Sequence, residues 1–256
     1  MQQKVSLSLP TFLPETSPEP TEQELRVHLA AAYRLIEKFR MADLICTHLS
    51  ARLPNQREFL LNPYGMMFNE ITASSLVKVD LSGNLMGDND YTLNPAGFVI
   101  HAGILAARPD VGCVVHTHSR YGMAVAALEC GLLPISQIAL QFYNQVAYHD
   151  YEGVSLDLDE QTRLATDLGN KKVMILRNHG LLTVGRTVAE AFILAYYLEK
   201  ACEIQILAQS AGSQLIELAP EVCEKSAAQQ AGEDLLHLQW TALLRSLDRA
   251  DASYRN

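Results

Sequence analysis

Two histidines stand one residue apart in the stretch CVVHTHSRYGMA, Cys113 to Ala124, which begins like a buried strand. On an extended strand, residues i and i+2 share a face, so His116 and His118 would lie side by side while Val115 and Thr117 face the other way. A third imidazole, His179, closes the apolar run KKVMILRN and is followed by Gly180. Two histidines from one strand and a third from the end of another meet the three-ligand count of a catalytic zinc or similar divalent site, with one coordination position left open. Gly180 and Gly185 would let a loop turn closely about an ion. The alternative is a set of ordinary histidines at the rim of a core, because His-x-His spacing recurs without metal. Cys113 falls on the strand face opposite both histidines and reads as a small core residue.

Elements must hold these side chains in place. Residues 1–20 carry Pro10, Pro14, Pro18 and Pro20 among Ser, Thr and Glu, which predicts a flexible or draped arm. Ordered structure is predicted from Thr21, where TEQE has the form of a capping box, with a helix running to about Met41. LICTHLSARL, EFLLN and LVKVDL, broken by PN, NPYG and LSGN, read as strands joined by turns. Asn94 and Pro95 form an N-cap and first-turn pair, so GFVIHAGILAA is predicted to be a helix that stops before Pro109. After the strand GCVVHTH come a short helix over Tyr121–Leu128, a strand in QVAYHDY and a helix in DLDEQTRLATDLG closed by Gly169. KKVMILRN is a buried strand, and TVAE at Thr187–Glu190 is a second capping box opening a long helix to about Gln209. Past Gly212 the pattern weakens, although EDLLHLQWTALLRSL reads as an amphipathic helix whose Trp240 and flanking leucines dock it onto the fold or a neighbouring subunit. The expected division is an arm at 1–20, one α/β domain at 21–215 with helices on the faces of one sheet, and a helical extension at 216–256.

Composition narrows the partners. At 256 residues and 48% hydrophobic content the chain can bury one good core. A net charge of −9 and a pI near 5.3 argue against nucleic acid and against an anionic membrane surface. Five cysteines, none in a CxxC pair, do not suggest a disulfide framework and fit a reducing compartment. No apolar run approaches membrane-helix length, and the N-terminus lacks the basic and apolar regions of a secretory signal, so the expected location is the cytoplasm.

Two motifs carry a family resemblance. GILAARPDVGCVVHTH followed by VMILRNHGLLTVG resembles the class II aldolase/adducin family, and the likeness runs from about Leu25 to Ser210. The resemblance implies a three-layer αβα sandwich around a central mixed, largely antiparallel sheet. It also implies a homotetramer with active sites where subunits meet, and a divalent metal held by His116, His118 and His179. Zinc is the first expectation, and iron or manganese also suits three imidazoles.

The sequence departs from the sugar-phosphate members at their substrate contacts. Where those members carry a Ser-Ser-Glu stretch with a proton-shuttling glutamate, this chain has Pro95, Ala96 and Gly97. Their phosphate loops correspond here to Thr47-His48-Leu49-Ser50 and Asn62-Pro63-Tyr64-Gly65, in which Ser50 and Gly65 match and an asparagine has become His48. A phosphate dianion wants a denser donor set. ITASSLVKVDLSGN, NPAGF, CGLLPIS and VAYHDYEG are more similar to the adducin head domain and its bacterial relatives. His48 and Gly65 are the candidate substrate contacts. His101, Glu70, Tyr148, His149 and Asp150 are candidates to stand in for the missing acid, and Tyr143 falls near the segment where the resemblance implies a catalytic tyrosine.

The function expected is that of a divalent-metal-dependent lyase. It would cleave a carbon–carbon bond in, or decarboxylate, a small keto or hydroxy acid or hydroxycarbonyl compound, with the ion absorbing developing charge. The alternatives are a non-catalytic adducin-like assembly or binding module that keeps the metal site, and a sugar-phosphate aldolase.

Overall fold

The computed structural model describes residues 19–87, 91–155, 157–230 and 233–256. The predicted N-terminal arm lies outside them except for its last two residues. Helix α1 spans Glu22–Lys38, opened by the capping box predicted at Thr21 and Glu24. It ends earlier than the periodicity suggests, because Phe39 caps it and Arg40 takes a left-handed φ of 58°. Strands β1 (His48–Arg52), β2 (Glu58–Leu61), β3 (Val77–Asp80) and the short β4 (Leu85–Met86) follow. Helix α2 (Pro95–Ala107) starts as expected, with the Asn94 side chain accepting from the backbone N–H groups of Ala96 and Gly97. Then come β5 (Cys113–Thr117), α3 (Arg120–Ala126), the single turn α4 (Gln137–Leu140), β6 (Val146–His149), α5 (Glu160–Leu168), β7 (Val173–Leu176), β8 (Gly180–Gly185) and α6 (Val188–Ser210).

The eight strands form one sheet in the order β4-β3-β2-β1-β5-β8-β7-β6, and every neighbouring pair is antiparallel except β6 and β7. Strand β5 lies near its middle and pairs with β1 and β8. Its alternation sorts the core. Cys113 and Val115 pack against α1 and α6, with Leu35, Ala191 and Phe192. Val114 packs on the opposite face against α2, with Ile100 and Ile104. The class II aldolase-like sandwich of helices on both faces of a mixed, largely antiparallel sheet is the observed architecture.

Tyr33 ties helix to sheet. Fully buried, its hydroxyl bonds the backbone of Leu49 and accepts from the Asn62 N–H at 3.2 Å, while Phe68 meets its ring edge-on at 4.7 Å. This fixes β1, and with it His48.

Two local expectations change. Thr187 caps α6 by accepting from the Glu190 N–H, but the Glu190 carboxylate turns to the Arg186 N–H at 2.7 Å and to Lys172 at 2.5 Å, so only half of the capping box forms. Beyond α6, helix α7 (Pro220–Gln230) forms where periodicity gave no signal, and buries Cys223. Helix α8 (Glu233–Ala250) packs Trp240 and Leu247 into the cluster shared by α1 and α6.

Candidate metal centre

The three histidines predicted from spacing meet in space. His116 is the fourth residue of β5, and His118 sits just past that strand's end. His179 belongs to the three-residue turn Arg177-Asn178-His179 that joins β7 to β8, whose register pairs Leu176 with Gly180. Asn178 supplies the left-handed residue of this turn at φ 55°. Gly180 is needed for close approach rather than for φ, since a Cβ there would stand 2.4 Å from the Thr117 carbonyl oxygen. A side chain at 180 would push the third histidine away from the other two.

The imidazole nitrogens converge. His118 Nε2 lies 3.0 Å from His116 Nε2 and 2.9 Å from His179 Nε2, and one ligand nitrogen from each ring falls within 4.8 Å of the others. The opposite edges are already committed. His116 Nδ1 donates to the Leu181 carbonyl at 3.0 Å, and His118 Nδ1 donates to the Asp43 carboxylate at 3.0 Å. A neutral imidazole that donates from Nδ1 carries a bare lone pair on Nε2. Two bare lone pairs at 3.0 Å repel unless a cation lies between them. This donor set fits a divalent ion: nitrogens at 2.0–2.1 Å from a tetrahedral centre stand about 3.3 Å apart, close to the spacing found. The Asp43 and Leu181 contacts are of the kind that fix tautomer and ring orientation around a metal.

Burial favours the uncharged rings that metal binding requires. Burial is the main cause holding the His116 imidazole well below its usual range, with His48, His179 and His118 adding to it. His179 falls to about 4, again chiefly through burial, then through the neighbouring His118 and His149. Behind the site, the buried Glu199 of α6 accepts from the Ser119 hydroxyl at 2.5 Å and from the Tyr121 and Gly122 N–H groups at 3.1 and 2.8 Å. Burial raises its pKa despite these bonds. The chain directly after His118 is thereby pinned.

The rings open onto a cavity of about 340 Å³ lined also by His48, Tyr64, Asn94, Ile100, Tyr151 and Val154. His48, within the predicted strand LICTHLSARL, is the first residue of β1 and is 2% exposed. Gly65 turns with φ 100° beside Tyr64, and it is the tyrosine that lines the cavity. Gly97, where the resemblance implies an acid, faces the His48 ring. His101 is buried behind His48 and bonds it. The other candidate acids do not line this cavity: Glu70 accepts from the Met67 N–H, Tyr148 bonds the Leu132 N–H, and His149 pairs with Asp167 at 2.7 Å beside the exposed Asp150, while Tyr143 borders a different cavity. Sequence reasoning missed Asp43 and Tyr151, both on irregular segments, where spacing gives no guide to direction.

Alpha-adducin of Rattus norvegicus is 44% identical over 245 residues, which cover 89% of this chain and 33% of that protein; this chain thus spans about a third of adducin. The crystal structure of an aldolase II superfamily protein from Pseudomonas syringae superposes with a TM-score of 0.88 at 51% identity, covering 93% of this chain and 98% of that one. L-fuculose 1-phosphate aldolase from Glaciozyma antarctica PI12 superposes with a TM-score of 0.84 at 31% identity, covering 94% and 97%. The family model described as Class II Aldolase and Adducin N-terminal domain matches residues 27–206, and the chain belongs to that family.

Proposed function

We propose that this protein is a divalent-metal-dependent lyase that cleaves a carbon–carbon bond in, or decarboxylates, a small keto or hydroxy acid or hydroxycarbonyl compound. The observation that carries the reading is the convergence of three imidazole nitrogens within 4.8 Å at the wall of a cavity of about 340 Å³. His116, His118 and His179 would hold the ion, with zinc first and iron or manganese as alternatives. Such an ion supplies Lewis-acid polarisation of a chelated oxygen. Asp43 and the Leu181 carbonyl keep two of the rings in the ligating tautomer. Ile100, Val154 and Tyr151 line the cavity. No carboxylate is found among the described residues lining it, which favours decarboxylation, where an electron sink matters most, over retro-aldol cleavage, which also needs proton movement at carbon and oxygen. We further propose that the protein works as a homotetramer in the cytoplasm, which light scattering on the purified protein would check for the assembly. No described helix is long and apolar enough to cross a membrane.

The test is turnover. Zinc-, iron- and manganese-loaded protein would be incubated with panels of 2-oxo and 2-hydroxy acids, and products read by mass spectrometry; turnover that a chelator abolishes supports the proposal. Turnover of none of them by any metal form, together with self-assembly into larger particles, would instead support a non-catalytic adducin-like module, a reading favoured by 44% identity to alpha-adducin. The 31% identity to L-fuculose 1-phosphate aldolase over 94% of the chain favours a sugar-phosphate aldolase, so that phosphate belongs in the panel.

A further inference from the structure

We propose that His48 is a fixed hydrogen-bond donor that selects a carboxylate oxygen of the ligand beside the metal centre, with His101 and Ser50 as the residues that orient it. This rests on the metal-dependent reading above and names the ligand class of that same site. The β1–β5 register sets His48 directly opposite His116, and their ring centroids are 5.0 Å apart. From the other side α2 presents Gly97, where a Cβ would lie 2.9 Å from His48 Cδ2, 3.0 Å from Cγ and 3.3 Å from Nε2. The imidazole thus fills the space a side chain at 97 would take, in the position where the resemblance expects an acid. Glycine there and histidine at 48 are two halves of one arrangement.

A hydrogen-bond chain sets the tautomer. His48 Nδ1 lies 2.8 Å from His101 Nε2, and His101 Nδ1 bonds the Ser50 hydroxyl. Ser50 and His101 are fully buried, and His101 is the partner of the Ser50 hydroxyl among the described residues. A buried hydroxyl must place its proton on an acceptor. Ser50 therefore donates to His101 Nδ1, His101 Nε2–H donates to His48 Nδ1, and the one proton of a neutral His48 ring is left on Nε2. Both rings are buried, which disfavours their charged forms. Both contacts come from α2, His101 at Nδ1 and the bare Gly97 beside Cδ2 and Nε2; no described residue bonds Nε2, so its N–H is the group His48 has to offer the cavity it lines. The role asks for no proton transfer.

Charge decides what that donor would meet. Three neutral imidazoles leave a bound divalent ion its full charge, and no carboxylate lines the cavity among the described residues. An anionic ligand is therefore favoured. Among the described residues neither lysine nor arginine lines the cavity to serve a phosphate dianion. A small 2-oxo or 2-hydroxy carboxylate meets both demands, with oxygens for the ion and one for the His48 N–H.

The test uses full-length zinc-loaded protein with glycolate as probe, and nitrogen-15 NMR of the histidine rings in both zinc-loaded and zinc-free forms. His48→Ala should retain zinc and bind glycolate about 10- to 100-fold more weakly, the loss of one hydrogen bond to a charged acceptor. The His48 ring should show the proton on Nε2, and Ser50→Ala should mix its tautomers. Gly97→Ala, which moves the ring without removing it, serves as a second variant and should also weaken glycolate with zinc retained. A wild-type protein that binds zinc but not glycolate, unchanged glycolate affinity in both His48→Ala and Gly97→Ala, a His48 proton found on Nδ1, or loss of zinc in His48→Ala would each overturn the assignment. Tight glycolate binding without any turnover would leave it standing while the lyase reading fails.

Discussion

Lowering the pH from about 7.5 to about 5 should cost the fold about 2 kcal/mol through His101 alone. The imidazole is fully buried between Ser50 and His48, and burial holds it at about 3, against an ordinary value of 6.5. Between those two values the unfolded chain binds a proton that the folded chain does not. Stability is thus complete above the ordinary value and falls as pH drops, by up to about 1.4 kcal/mol per pH unit for one such group. His48, His116 and His179 are shifted in the same direction, chiefly by burial, so the total loss should exceed the share of His101. Glu199 works the other way, since its pKa is raised. The assay is urea unfolding of metal-free protein at several pH values in this window, paired with NMR titration of the histidine rings. A fall of 2 kcal/mol or more, with His101 neutral down to about pH 4, is expected. Stability that stays flat or rises on acidification, or a His101 ring that titrates near its ordinary value, would refute the reasoning.

Two substitutions probe how the site is held. Asp43→Ala removes the acceptor of His118 Nδ1–H at 3.0 Å and should weaken zinc binding about 10- to 100-fold with little change in fold, as measured by competition with a zinc chelator. Tyr33→Phe leaves Leu49 and Asn62 backbone groups without their buried partner and should lower unfolding stability by about 1–3 kcal/mol in urea titrations.

The parts of this structure readable from sequence are those governed by periodicity. The alternation of β5 correctly separated Cys113 from the two histidines, because a strand fixes the direction of every side chain once one is known. Asn94 with Pro95 and Thr21 with Glu24 announced their helices through local bonds that the structure contains. What escaped depends on tertiary direction. Asp43 reaches His118 from an irregular segment 75 residues away, and His101 reaches Ser50 and His48 from a helix across the sheet. Helix α7 escaped for another reason: it buries little besides Cys223 and so shows no apolar stripe. Gly180 was singled out for turning about an ion, whereas its smallness lets β5 and β8 approach at Thr117.

The most direct measurement is calorimetric titration of chelator-treated protein with zinc, for the native chain and for His118→Ala and His179→Ala. One ion per chain, bound tightly by the native protein and lost or greatly weakened in both variants, is the outcome predicted. Absence of binding, or binding that survives both substitutions unchanged, would contradict the assignment of a metal centre to His116, His118 and His179.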